Sequence, residues 1–384
     1  MEETGSLSND LDSAWWSIGG PIFHTIASLM PQHAETSSEP TTLRRCQYLQ
    51  NSVPELISGL FASRFVPRMS PELLRHYAER FRRLHADVEA GRSRPHKAVM
   101  LLSVITLAES GRLPENRIYY SSDLLQIFSR FFDAVRAGSD RRTPFNPFFY
   151  LKGDGFWHLH PQPGQEALLA ATSVIRGPGQ LTGLVSHASF DDALFGLLTE
   201  RTSREVLRLT LIDRYFPARR DDVLSICSEE AQIAQAEHRL EEGVAQPEQI
   251  ATAVRDAAFS RTVCKAYDYT CAMCGVRFVC EDVIMVDAAH LVPFSESHND
   301  SPTNGIALCK NHHWLMDKFL ISPAPGRGRD YTHPVWLVSP YLDSRLEAHR
   351  FCIEFRNQSV ILPREERYRP AQEALDWRAA HLRK

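Results

Sequence analysis

Cys271 and Cys274 form a Cys-x-x-Cys pair, and Cys309 with His312 repeats that spacing 35 residues after Cys274. A structural zinc site takes four nitrogen or sulfur ligands in a tetrahedron, commonly as two such pairs. On a helix or helix start, three-residue spacing puts both members of a pair on one face. The pattern therefore predicts a Cys₃His zinc site; the alternative is two cysteine pairs buried as small hydrophobes. Of the eight cysteines, only 271 and 274 are closely spaced, so metal binding fits better than a disulfide framework. Cys264 and Cys280 lack matching partners and read as structural. If His312 serves the zinc, the adjacent His313 points about 100° away around the helix and needs another task.

The surrounding run, "VDAAHLVPFSESHNDSPTNGIALCKNHHWLMDKFL" (286–320), holds its companions. Asp287 and His290 flank a short strand-like segment, Asn304 sits in a turn before the apolar "IAL", and Asp317 follows His313 by one helical turn. His298, in the polar "SESHND", reads as a solvated loop residue.

These residues need elements to hold them. "SPELLRHYAERFRRLHADVEAG" and the stretch from 46 to 70 show helical spacing, with Ser70 and Pro71 as start signals. "HKAVMLLSVITLAESG" reads as a buried helix closed by Gly111. "FNPFFYLKGDGFWHLHP" reads as two aromatic strands around Gly153-Asp154-Gly155. Two helices follow, capped at Ser189 and at Thr202 or Ser203, and "SEEAQIAQAEHRLEEGV" suits a linker or packing helix. "RDAAFSRTVCKAYDYTC" is an amphipathic helix leading to Cys271. "VWLVSP" and "CIEFRNQSVILP" read as strands and "RPAQEALDWRAAHLRK" as a closing helix. The fold class expected is α+β and multidomain. Its boundaries are an extension at 1–45, a helix-rich domain at 46–217, a helical linker at 218–254 and a ββα domain with its zinc site at 255–384.

At 384 residues the chain is long enough for two or three cores, and no apolar run approaches the ~18 residues that span a bilayer. The acidic start "MEETGSLSND" lacks the basic and apolar regions of a secretory signal, so a cytoplasmic protein is expected. A net charge of −4 argues against a uniformly basic nucleic-acid binder. Between Arg64 and Lys97, however, nine Lys/Arg stand against four Asp/Glu, including Arg80, Arg82, Arg83, Arg92 and Arg94. Such an excess can follow a phosphate backbone, or simply face water.

Asp287-Ala-Ala-His290, Asn304-Gly305 and His312-His313 with Asp317 resemble the HNH family of ββα-metal nucleases, and "YDYTCAMCG" and "YRPAQEALDW" resemble its restriction-type members. The similarity covers about 255–384. It implies a metal-dependent endonuclease acting on double-stranded DNA, with His290 as general base. Asp287 and His313 would hold one divalent ion, Mg²⁺ or a substitute such as Mn²⁺, Co²⁺ or Ni²⁺. Asn304 would fix the loop or His290, or complete the metal shell, and Asp317 would support His313 or simply cap the helix. Met316-Asp317-Lys318-Phe319 departs from the family, where an aromatic and a glycine are more usual.

Residues 75–217 resemble the sulfur-binding domain upstream of HNH modules in phosphorothioate-dependent type IV restriction enzymes, a phage-defence class. The resemblance rests on Arg94-Pro95-His96-Lys97, Pro147-Phe148 and Asp154-Gly155-Phe156-Trp157. It implies an apolar wall at Pro147 for the sulfur, a cationic side from Arg94, His96 and Lys97, and further DNA contacts near Ser186 and His187. Sulfur is softer and less hydrated than oxygen, so an apolar wall costs it less desolvation. Family members carry tyrosine where this chain has Asn146. The other readings are an HNH nuclease directed to modified bases or plain duplex, and a non-cutting zinc-containing DNA-binding protein. One HNH centre per chain makes a homodimer one route to a double-strand break.

Overall fold

The computed structural model describes residues 71–384, except 86–87, 90–91, 139 and 245–248. The extension expected over 1–45 and the helix signals between 46 and 70, Ser70 included, lie outside the described residues. The described part is α+β, as expected, with helices around small two-stranded antiparallel sheets.

Helix α1 (Pro71–Arg82) turns Tyr77, Ala78 and Phe81 inward. Helix α2 (His96–Glu109) is apolar nearly all round and buries every residue from Ala98 to Leu107, as a central helix must. It closes at Gly111, whose φ of +72° is open to glycine without strain. Helix α3 (Ser122–Val135) is capped by the Ser121 side chain accepting from the Leu124 amide.

The segment expected as two aromatic strands is half helical: α4 (Phe145–Tyr150) and a 3₁₀ turn (Leu151–Asp154) precede strand β1 (Trp157–Pro161). Packing overrode β-propensity here. Phe148 and Phe149 are fully buried, and the Trp157 indole donates to the Phe148 carbonyl at 2.9 Å, tying helix to strand. Strand β1 pairs with β2 (Val185–Phe190), which contains Ser189; the helix expected to start there, α5 (Asp192–Thr199), begins after Asp191. The next helix, α6 (Arg201–Tyr215), starts after Glu200, leaving Thr202 and Ser203 inside its first turn with the Ser203 hydroxyl 2.6 Å from the Glu200 carboxylate.

Helix α7 (Arg220–Glu241) is a packing helix anchored in two cores. Val223 and Cys227 belong to a first core with Phe81, Phe128 and Phe156; Ile233, Ala236 and Leu240 belong to a second with Phe259, Leu308 and Trp336. Helix α8 (Thr252–Ala266) lies along α7 and carries Phe259 and Val263 beneath the candidate site. A small hairpin, β3 (Val279–Cys280) and β4 (Val283–Ile284), leads into the central ββα unit. In that unit β5 (Val286–His290) pairs antiparallel with β6 (Gly305–Cys309), which runs into α9 (Lys310–Asp317). Beyond it, β7 (Ile321–Gly326) pairs with β8 (Asp330–Val338), and α10 (Gln372–Ala380) packs on β7. The strand expected over "CIEFRNQSVILP" is absent: a short helix covers Arg350–Ile353, Asn357 turns the chain at φ +64°, and a lone bridge joins Ser359 to Val335.

Ion pairs join the two halves. Arg130 of α3 and Arg261 of α8 both hold the Glu230 carboxylate, the latter at 2.8 and 2.9 Å. Arg112 pairs with Glu237, Tyr120 donates to Glu281 at 2.8 Å, and Arg142 lies 3.3 Å from Asp282. All described residues fall within one compact unit, Met69–Lys384. Among them, no helix is long and apolar enough to cross a membrane.

Candidate active site and metal centre

The ββα register brings the two cysteine pairs together. Cys309 ends β6, and the helix begun by Lys310 lifts His312 back over it. Cys271 and Cys274 sit on a tight turn closed by the Gly275 amide donating to the Cys271 carbonyl at 2.9 Å, with Gly275 at φ +70°. One donor atom from each of Cys271, Cys274, Cys309 and His312 lies within 4.8 Å of all the others. His312 Nδ1 faces the sulfurs, 3.5 Å from Cys271 and 3.3 Å from Cys309. The ring is fixed between Phe351 and Phe355, and its Nε2 is buried without a protein partner.

One thiol of the cluster, Cys271, is biased toward its anion. A hydrogen bond from Cys309 pulls the Cys271 thiol down to about 3, with help from His312 and against the effect of burial. The same bond, then burial, pushes Cys309 up. Thiolate is the form that binds metal. The donor set and its closeness thus fit zinc.

The second constellation lies on the other face of α9. His313 Nδ1 is 3.6 Å from Asp287 Oδ2, and His313 Nε2 is 3.7 Å from Asp317, one turn on. Lys310 reaches over the strand, with Nζ 2.6 Å from both Asp287 oxygens. A carboxylate and an imidazole this close, partly exposed, suit one divalent cation, the imidazole favouring the transition metals.

His290, at the end of β5, is held on three sides. Its ring stacks on Phe259 at 3.9 Å with planes 3° apart, and Phe294 closes the edge at 6.1 Å. Its Nε2 is 2.8 Å from Asp300 Oδ1, and Asp300 Oδ2 is ion-paired with Arg255 at 3.0 Å. A carboxylate there accepts, so Nε2 is the donating nitrogen of the ring. Asp300 is buried and was missed in the sequence, where the eye goes to His298; its only signal is an acid in the loop after the histidine. His298 instead sits at φ +48° with its ring against Phe294.

Asn304 builds the loop. It is 1% exposed. Its side-chain oxygen accepts from the Val292 amide at 2.9 Å, and its nitrogen donates to the Val292 and Asn299 carbonyls at 3.0 and 2.9 Å. Both side-chain protons and one lone pair of the oxygen are thereby engaged inside the loop. Gly305 explains itself through contact: a Cβ there would lie 2.4 Å from Val263 Cγ2 and 3.0 Å from Phe259 Cζ.

The front-half residues are scattered among different tasks. Lys97 Nζ is 2.6 Å from Asp154, and both side chains are largely buried. Arg80 donates to the Asp154 carbonyl and lies 3.8 Å from the Asp191 carboxylate, and Arg82 and Arg83 share Glu79, so part of the basic excess is offset locally. His96 is bonded to the Arg141 carbonyl at 2.8 Å and edges onto Phe132. Arg94, just before it, is half-buried. Pro147 is buried within α4, where the resemblance led to an accessible wall, because the segment is helical and turns inward. Asn146 bonds Thr143. Ser186 and His187 lie on β2, where His187 stacks on His160 at 4.3 Å and approaches Tyr119 at 5.8 Å. Burial, then His160, hold His187 below its ordinary value.

Residues 271–322 match the family HNH_2, HNH endonuclease. The matched span opens on the first zinc cysteine and runs through β5, β6 and α9, so it contains both constellations. No curated protein matches the chain. Residues 271–322 thus carry the similarity to an HNH endonuclease domain, and a zinc-type Cys₃His cluster lies within that span.

Proposed function

We propose that the chain is a metal-dependent DNA endonuclease in which the HNH domain hydrolyses one phosphodiester bond per encounter. The observations that carry this are the ring of His290, clamped by Phe259 and Asp300 at the end of β5, and the Asp287–His313 pair joining β5 to α9. His290 Nδ1 takes the proton from the attacking water. Asp300 keeps the proton on Nε2 and steadies the imidazolium as it forms. Asp287 and His313 would hold the divalent ion, Mg²⁺ or Mn²⁺, Co²⁺ or Ni²⁺, which would supply positive charge for the hydrolysis. Asn304 and Gly305 keep the loop and α8 close enough for that clamp. The zinc cluster fixes the first turn of α9 and so the direction of His313.

In the finer reading, the front half, residues 71–217, contacts double-stranded DNA, and a phosphorothioate mark directs cutting, as in type IV restriction. The resemblance around Arg94, His96, Ser186 and His187 supports DNA contact. The inward placement of Lys97 and Pro147 gives the sulfur mark less support. The test is nicking of supercoiled plasmid with each divalent ion. His290→Ala should slow it by about 10²–10⁴-fold, the usual share of a general base. Cutting that persists in the variant, or without any divalent ion, overturns the nuclease reading. Equal cutting of phosphorothioate and plain duplexes overturns the sulfur reading alone.

A further inference from the structure

Lys310 is the residue of the site that the hydrolytic scheme leaves without a task. It opens α9 directly after Cys309, and three- and four-residue spacing places it on the face of His313 and Trp314. Its ammonium is equidistant from the two Asp287 oxygens, 2.6 Å from each. His313 Nδ1 stands 3.6 Å from one of those oxygens. The ammonium therefore takes both lone-pair faces that a cation bound to Asp287 needs. Lysine suits such a post: it is a compact point charge on a flexible stem. With 65% of its side chain exposed, it can leave without disturbing the core.

We propose that Lys310 is the site's own placeholder cation, occupying the Asp287 carboxylate until a divalent ion displaces it. This rests on Asp287 and His313 being the ligands. The exchange is a competition: the incoming ion must break the Lys310–Asp287 pair before it can bind, and this raises the free-ion concentration at which the site loads. The positive charge at Asp287 is thus present before and after loading. Without Lys310, the carboxylate is open to any divalent ion at once.

The experiment is titration of the zinc-loaded full chain with Mn²⁺ by calorimetry and by electron paramagnetic resonance, without DNA. The chains compared are wild type, Lys310→Met, Lys310→Arg and Asp287→Asn, with zinc content checking that each is folded. Lys310→Met should bind Mn²⁺ about two- to fivefold more tightly, the range that an exposed ion pair accounts for. Lys310→Arg, which keeps the charge, should stay near wild type. Equal affinities in wild type and Lys310→Met, with binding still lost in Asp287→Asn, overturn the placeholder and leave the metal site standing. Binding that survives in Asp287→Asn overturns the ligand assignment and the placeholder together.

Discussion

Asp300→Asn isolates the buried carboxylate behind His290 while keeping its shape. Asp300 has one oxygen 2.8 Å from His290 Nε2 and the other 3.0 Å from Arg255 Nε, with only 5% of its side chain exposed. The imidazolium formed during proton transfer is thus stabilised by a charged, water-poor partner. A hydrogen bond to a charged group is worth about 1.5–3 kcal/mol, which is about a 10- to 150-fold loss in rate if all of it acts in the transition state. A larger loss follows if the amide donates to Nε2, because Nδ1 then carries the proton and no base remains. The assay is single-turnover nicking at saturating metal, with zinc content and melting temperature measured in parallel. The loss should appear in kcat with Mn²⁺ affinity unchanged, since Asp300 touches neither Asp287 nor His313. Nicking within twofold of wild type would refute a positioning role for Asp300, and an equal loss through weaker metal binding would refute its assignment to His290.

Gly305→Ala places a methyl 2.4 Å from Val263 Cγ2 and 3.0 Å from the Phe259 ring, both buried on α8. Overpacking of that kind costs about 1–3 kcal/mol, and because it displaces the ring under His290, nicking should fall while zinc content holds; unchanged melting and nicking would contradict it. Glu230→Gln tests the seam between the halves. Burial, the largest influence, opposes the charge, but Arg261 and Arg130 hold the carboxyl below its ordinary 4.5. A depressed carboxyl stabilises the fold above its unfolded value near 4.5 and loses that contribution as pH falls through the folded value. The variant should therefore be about 3–5 kcal/mol less stable to denaturant at pH 7, with the gap closing below about pH 4.5; a pH-independent gap contradicts the pairing.

The zinc-type cluster was legible because such a site takes fixed residue types at fixed spacing, and Cys271, Cys274, Cys309 and His312 do meet. The 100° offset turns His313 away from that cluster, and the structure puts it near Asp287, a residue singled out by the family resemblance and not by spacing. What surrounds them was not legible. Asp300 and Phe259 reach His290 from a loop and from a helix 31 residues upstream of it, and a solitary acid or aromatic carries no periodic signal. Asn304 announced itself, but only its contacts show that it holds a loop together. In the front half, "FNPFFY" has the composition of a strand and the burial of a core helix. The basic run looked like a DNA footprint because local sequence does not reveal that Asp154 lies against Lys97 across 57 positions.

Helix α7 is rooted in both cores over 22 residues, about 33 Å at 1.5 Å per residue. Glu230, near its middle, is gripped from each side by Arg130 and Arg261. Such a strut works as a ruler. On the reading proposed above, a duplex held by the front half meets His290 at a constant offset. The products should then show sharp ends at a set distance from whatever is gripped, not a smear whose width reports the slack of a tether.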